Sequence, residues 1–227
     1  MSFTIPVITI DGSSGCGKGT ISQRLAQHLS WNYLDSGALY RVPGWAILQG
    51  GMDIEKEEAK LPDFIKGLDI KFLQDASLSY RVFCNQLDVT DAIRSEACGS
   101  MASKIGAVKE VRECLIERQR DFRQLPGLVT DGRDMGTVIF PDSTLKFYLT
   151  ASLEERANRR YKQLKVLGID VSLREIQKDL SVRDERDSNR VVAPLKLTSD
   201  MVMVDTTGLT IDEVFEIVLK SVRSRGF

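Results

Sequence analysis

One lysine, Lys18, sits among glycines in the string Gly12-Ser13-Ser14-Gly15-Cys16-Gly17-Lys18-Gly19-Thr20. Before it runs an apolar stretch, Pro6-Val7-Ile8-Thr9-Ile10, and after it a helical repeat of Ile21, Leu25, Ala26 and Leu29. Strand, glycine-rich loop and helix, in that order, are what a phosphate-binding loop requires. Glycines let several backbone N–H groups point into one hollow, and the helix N-terminus adds partial positive charge. Lys18 is expected to reach the terminal phosphates and Thr20 to sit near a magnesium ion. The usual pattern sets Ser or Thr directly after the lysine, whereas here Gly19 intervenes. A glycine-rich turn can also be a plain connector; the lysine at this offset argues for nucleotide or phosphate binding. The loop by itself names no substrate and no reaction.

Ligands of open α/β sheets bind outside the carboxyl ends of the strands, and further polar groups fall at such ends. One is Asp35-Ser36-Gly37 with Tyr40 and Arg41; another is Asp131-Gly132-Arg133-Asp134. Asp131 closes an apolar run and suits a carboxylate that holds magnesium, directly or through water; its plainer alternative is a turn cap. Arg41 and Arg133 suit bidentate phosphate contacts, the alternative being surface charge. Arg183-Asp184-Glu185-Arg186-Asp187-Ser188-Asn189-Arg190 is the densest charge cluster. On a helix, 183, 186 and 190 share one face. Asp184 and Asp187 could answer them in a solvated salt-bridge helix, or the arginines could close as a lid over a polyphosphate.

The elements that must hold these groups alternate. Short apolar runs at 7–10, 33–34, 128–130, 145–149 and 201–204 are separated by helical patterns, which predicts a mostly parallel sheet with helices on both faces. Capping boxes start three helices: Ser152 with Glu155, Ser172 with Glu175, Thr210 with Glu213. Gly168 is expected to end the first of these, so that 168–171 folds two helices into a hairpin. Residues 68–94 break the alternation with strand-like runs at 69–73, 78–83 and 87–90, a small antiparallel insertion. A helical stretch follows over about 95–124.

Composition bounds the rest. The 227 residues, 42% hydrophobic, suffice for one α/β domain with an insertion or small subdomain. A net charge of −1 argues against a dedicated nucleic-acid binder. No run approaches the roughly 20 apolar residues of a membrane span, and no basic stretch precedes an apolar signal core. Cys16, Cys84, Cys98 and Cys114 show no CxxC spacing and read as reduced thiols of a cytoplasmic protein. His28, the one histidine, reads as a helix-surface residue.

Taken together, these strings resemble the bacterial cytidylate kinases over nearly the whole length. The carrying motifs are Ile8-Thr9-Ile10-Asp11-Gly12, the loop through Thr20, and Leu34-Asp35-Ser36-Gly37-Ala38-Leu39-Tyr40-Arg41. Further along stand Asp131-Gly132-Arg133-Asp134-Met135-Gly136-Thr137, Val138-Ile139-Phe140-Pro141, Arg183-Asp184-Glu185-Arg186-Asp187, Asn189-Arg190 and Ala193-Pro194-Leu195. Lys-Gly-Thr is how nucleoside-monophosphate kinases end the loop, so Gly19 fits. The resemblance implies a P-loop, three-layer α/β fold: a central five-stranded parallel sheet, a short helical lid and a small antiparallel insertion. It implies a single domain over 1–227, with a core of 1–36, 125–160 and 195–227, a monophosphate-binding region at 37–124 and a lid at 161–194. It implies a monomer that transfers the γ-phosphate of ATP, with Mg2+, to CMP or dCMP. Residues 12–20, namely Gly12, Ser13, Ser14, Gly15, Cys16, Gly17, Lys18, Gly19 and Thr20, would bind ATP, and Thr20 and Asp131 the metal.

Carried over by position, Ser36, Arg41, Ser103, Arg112, Arg133, Asp134, Arg183, Asp187 and Arg190 would contact the acceptor. Ser103, Arg112 and Asp134 would read the cytosine; a carboxylate there can accept from the 4-amino group, which uracil lacks. Arg41, Arg133 and Arg190 would hold the acceptor phosphate, and Ser36, Arg183 and Asp187 the sugar. Lys18, Arg183 and Arg190 would form the catalytic set. Two residues depart from the pattern: Ser13 stands where the family usually has Pro, and Pro43 predicts a shifted or kinked helix start. Rival readings are a kinase of another monophosphate or of an alcohol, a nucleotide switch, and a nucleic-acid ATPase. The absence of an Asn-Lys-x-Asp string weighs against a guanine switch, and the lack of an aromatic-basic interleave against the ATPase.

Overall fold

The structure, a computed structural model, describes residues 4–74, 80–166 and 168–227. The chain divides into two compact units, Met1–Leu34 with Phe122–Phe227, and Asp35–Asp121.

The first unit is built on a five-stranded parallel sheet, ordered β2-β6-β1-β7-β8, with helices on both sides. β1 (Val7–Gly12) is its central strand and is buried along its full length. Unbroken burial is what a strand covered on both faces needs, and it explains the apolar run without alternation. On one side β1 pairs with β6 (Leu128–Gly132), Ile10 opposite Asp131; on the other with β7 (Leu145–Thr150), Gly12 opposite Leu149. β2 (Asn32–Asp35) and β8 (Val202–Asp205) are the edges. All five expected strands are present, β8 displaced by one residue from the predicted run.

Helix α1 (Lys18–Leu29) turns Ile21, Leu25 and Ala26 inward and packs on β1 and β6. His28 lies exposed in its last turn, its ring edge-on to Phe215 of α8 (Ile211–Arg223). α6 (Leu153–Val166) and α7 (Leu173–Asn189) pack through Ala157, Leu164, Ile176 and Leu180. Gly168 at φ 72° lets the amides of Gly168 and Ile169 return to the carbonyls of Lys165 and Leu164, so the expected turn forms. The capping boxes of α7 and α8 are complete. That of α6 is half made: Ser152 accepts from the Glu155 amide, but its own amide donates to Thr207 and the Glu155 carboxylate goes to Arg159.

The second unit packs α2 (Ser36–Gly50), α3 (Leu61–Lys66), α4 (Glu96–Ile105) and α5 (Lys109–Arg120) around Tyr40, Ile47, Leu61, Ile65, Ile105, Val111 and Leu115. It carries the insertion as an antiparallel sheet β3-β4-β5, β3 (Ile70–Gln74), β4 (Tyr80–Cys84) and β5 (Leu87–Asp88). The turn between the first two strands, at 75–79, lies outside the described residues. The helical stretch expected over 95–124 is two helices, broken between Ile105 and Lys109.

Pro43 does not shift the start of α2. Asp35 fixes that start by accepting the Ala38 amide, and the helix continues past Pro43 to Gly50. The lost N–H is offset by packing: Pro43 and Gly44 are buried, and a Cβ on Gly44 would lie 3.2 Å from the Ala102 nitrogen of α4. Two backbones meet there, and the seam overrides the propensity of proline to break a helix.

Candidate active site

The phosphate loop leaves β1 at Gly12, where the chain grazes its neighbour. A Cβ there would fall 2.0 Å from the Leu149 carbonyl oxygen of β7, so only glycine fits. Gly17, at φ 92°, is the N-cap of α1 and has no side chain to satisfy the first helical amides. A helix start of this kind carries the positive end of the helix dipole, the setting that suits an anion. Lys18, the first residue of α1, is nearly buried and donates to the Ser13 carbonyl at 3.0 Å, spanning the mouth of the loop.

The loop's carbonyls are braced by residues that sequence reasoning did not single out. Arg156 of α6 donates to the Ser14 carbonyl at 3.1 Å and to Ala151 at 3.0 Å. Thr206 donates to the Cys16 carbonyl at 3.1 Å and is itself held by Arg159. Of these, only the Glu155–Arg159 spacing of four carries a local signal. The Ser13, Ser14 and Cys16 carbonyls are thus each tied to a side chain, which fixes the loop's path.

At the end of β6, Asp131 is nearly buried and accepts from the Tyr33 hydroxyl at 2.8 Å. A Cβ on Gly19 would lie 3.9 Å from both Asp131 carboxylate oxygens and from the Tyr33 hydroxyl, so the glycine after the lysine lets α1 approach this carboxylate. Thr20, on the same first turn, is exposed.

Beyond Asp131 the chain presents Arg133 and Asp134, and both meet the end of α7. Arg133 donates to the Asp187 carboxylate at 2.7 Å, and Arg190 lies 3.4 Å from that of Asp134. Burial pushes the Asp187 carboxyl up, but Arg133, then Arg190 and Arg183, outweigh it and hold the group below the usual carboxylate range. Asp184 takes Arg156 at 2.6 Å. The expected single arginine face is therefore corrected. The helix ends at Asn189, Arg190 is its C-cap in extended backbone, and Arg183 and Asp187 are buried. Asp184 and Asp187 answer arginines from other elements instead of making a solvated helix surface.

The remaining candidates lie in the second unit. Ser36, buried, opens α2; Arg41, farther along it, donates to the Ile93 carbonyl at 2.8 Å. Asp35 is paired with Arg94 at 3.0 Å; burial raises its carboxyl, but Arg94, the Ala38 amide and Arg41 bring it below its ordinary value. Ser103 on α4 is buried. Arg112 on α5, 4% exposed, donates to the Gly106 carbonyl at 3.1 Å with its guanidinium 5.5 Å over the Tyr40 ring. The planar guanidinium is thus held in one orientation by the carbonyl and the ring. Thus Lys18, Asp131, Arg133, Asp134, Arg183, Asp187 and Arg190 stand in one unit, and Ser36, Arg41, Ser103 and Arg112 in the other.

The family model described as Cytidylate kinase matches residues 8–224. This chain belongs to the cytidylate kinase family. Among curated cytidylate kinases, that of Nitrosococcus oceani is 52% identical over 96% of this chain and 96% of its own length. That of Pseudomonas aeruginosa is 47% identical over 100% of this chain and 99% of its own. An uncharacterized protein from Eubacterium ventriosum, 11% identical, matches in structure with a TM-score of 0.52 over 96% of this chain and 98% of that one, a likeness of fold. As a cytidylate kinase family member the chain is a nucleotide-binding phosphotransferase with ATP as phosphoryl donor. No described helix is long and apolar enough to cross a membrane.

Proposed function

We propose that this chain catalyses ATP + (d)CMP → ADP + (d)CDP, with the residues named above in distinct roles. The reaction follows from membership of the cytidylate kinase family over residues 8–224. The observation that best supports the assignment of roles is the buried pairing of Arg133 with Asp187 and of Arg190 with Asp134. Four residues expected to contact the acceptor are held in one cluster at the end of β6, by partners more than fifty positions away.

No covalent nucleophile is needed. The acceptor phosphate oxygen attacks the γ-phosphorus in line, and the protein positions the groups and neutralises charge. The amides of residues 12–20 and Lys18 bind the phosphates of ATP. Arg41, Arg133 and Arg190 hold the acceptor phosphate, while Ser36, Arg183 and Asp187 contact the sugar. Ser103, Arg112 and Asp134 read the cytosine. Lys18, Arg183 and Arg190 face the transferring group. Closure of the α6–α7 hairpin, the lid region at 161–194, excludes water that would otherwise hydrolyse ATP.

The residues present fit Mg2+. This ion keeps several waters and binds through one or two carboxylates plus phosphates. Asp131, nearly buried beside the first turn of α1, offers that carboxylate, and Thr20 lies on the same turn. Mg2+ bound there would neutralise charge on the β- and γ-phosphates. We assign the core to 1–36, 125–160 and 195–227, the monophosphate-binding region to 37–124, and read the protein as a cytoplasmic monomer.

Steady-state ADP release with ATP against CMP, dCMP, UMP and AMP tests the proposal. CMP and dCMP should give the highest kcat/KM. Turnover with AMP or UMP equal to that with CMP would sink the assignment of the cytosine-reading residues.

A further inference from the structure

Asp11, the penultimate residue of β1, has its side chain fully buried. One carboxylate oxygen accepts the Met135 amide at 2.9 Å, the other the Gly136 amide at 2.8 Å. Those amides open the turn Met135–Ile139, which winds as a π-helix immediately after Asp134. Single π turns of this kind concentrate at functional sites. Thr9, on the same strand, closes on the turn as well: a Cβ on Gly136 would lie 2.8 Å from the Thr9 hydroxyl oxygen.

A carboxylate in a core strand is costly to bury. Burial pushes the Asp11 carboxyl up to about 6, with the Gly136 amide, Met135 amide and Arg133 opposing and Asp134 reinforcing. An apolar side chain of similar size would serve packing alone at less cost. The two amide bonds are what only a carboxylate can supply from this position.

We infer that Asp11 is a positioning residue for acceptor recognition: by clasping the amides of Met135 and Gly136 it fixes the directions of the Arg133 and Asp134 side chains. This rests on the reading that Asp134 recognises cytosine. Asparagine would keep the size of Asp11 but oppose an NH2 group to one of the amides, losing one bond and crowding two donors.

The test is the ratio of kcat/KM for CMP to that for UMP, which does not depend on the fraction of enzyme folded. Asp11→Asn should lower this ratio by roughly tenfold, through a higher KM for CMP with KM for ATP unmoved. Gly136→Ala, which pushes the same turn off Thr9, should shift it in the same direction. In an Asp134→Ala background, Asp11→Asn should leave the ratio where Asp134→Ala put it. If Asp134→Ala lowers the ratio while Asp11→Asn and Gly136→Ala do not, the inference is overturned. If Asp134→Ala itself leaves the ratio unchanged, the reading beneath it fails instead.

Discussion

The phosphate loop and the α6–α7 hairpin both meet phosphate in the proposed reaction, yet they are built in opposite ways. The loop is local and made of backbone. Glycine at a close approach to β7, a helix start without a side-chain cap, and Lys18 donating to Ser13 five residues away all lie within one short string. The end of the hairpin is made of side chains, each held by a distant carboxylate: Arg133 by Asp187, Arg156 by Asp184, Arg190 by Asp134. At the loop an anion meets the positive end of a helix dipole, whereas at the hairpin it must share guanidiniums with carboxylates. The loop is therefore suited to binding and the hairpin to geometry that changes when the acceptor arrives.

Removing the loop's lysine should break its side of this contrast most severely. Lys18→Ala is expected to lower kcat/KM by about a thousandfold, as loss of a donor to developing charge does. Near-normal CMP phosphorylation by this variant would refute the role of the loop in transfer.

The hairpin's pairs make a different forecast, because they bear on stability. Asp187→Asn leaves the largely buried Arg133 guanidinium without its carboxylate and should cost about 3 kcal/mol in urea unfolding near neutral pH. The sign with pH follows from the depressed carboxyl. Asp187 stabilises the fold above the ordinary carboxylate range near pH 4, and that contribution is lost as pH falls through its lower folded value. Below about pH 4 the gap in stability between parent and variant should shrink. A gap that stays constant down to pH 2 would show that Arg133 does not depend on this charge.

Arg190→Ala sharpens the contrast from the side of catalysis. Loss of a side chain that holds the acceptor phosphate and faces the transferring group should lower kcat, here by about a hundredfold, with little change in KM for ATP. If KM for ATP rose in step, Arg190 would belong with the loop's binding donors. The same difference explains what could be read in advance. The strands, the loop and two capping boxes each show a pattern within a short stretch of chain, so their residues declare them even where, as for the strands, the pairing partners lie far away. The ion pairs of α7 do not. Spacing put 183, 186 and 190 on one helical face, but Arg190 is a C-cap and the acids answer Arg133 and Arg156 from elsewhere. Pro43 misled for a related reason, since the packing of Gly44 on α4 outweighs the local signal. Arg156 and Thr206, which brace the loop's carbonyls, had no local signature.

The smallest effect is expected at Asp134, which pairs the segment after β6 with the C-cap of α7. Its carboxylate lies 3.4 Å from the Arg190 guanidinium, a long contact beside the 2.7 Å bond that Arg190 donates to the Ala193 carbonyl. In the proposed reaction the same carboxylate accepts from the 4-amino group of cytosine, a donor that uracil replaces with an acceptor. Asp134→Ala should therefore erode the preference for CMP over UMP by roughly tenfold, the value of one discriminating hydrogen bond. It should also lower kcat with both substrates by the same smaller factor, because Arg190 keeps its bond to Ala193 but loses its carboxylate contact. Measuring kcat/KM for both nucleotides separates the two. The ratio reports the carboxylate's contact with the base, and the common fall reports its hold on Arg190. A ratio that stays at the parent value alongside a common fall would make Asp134 part of the hairpin's charge geometry alone and move cytosine recognition to Ser103 and Arg112.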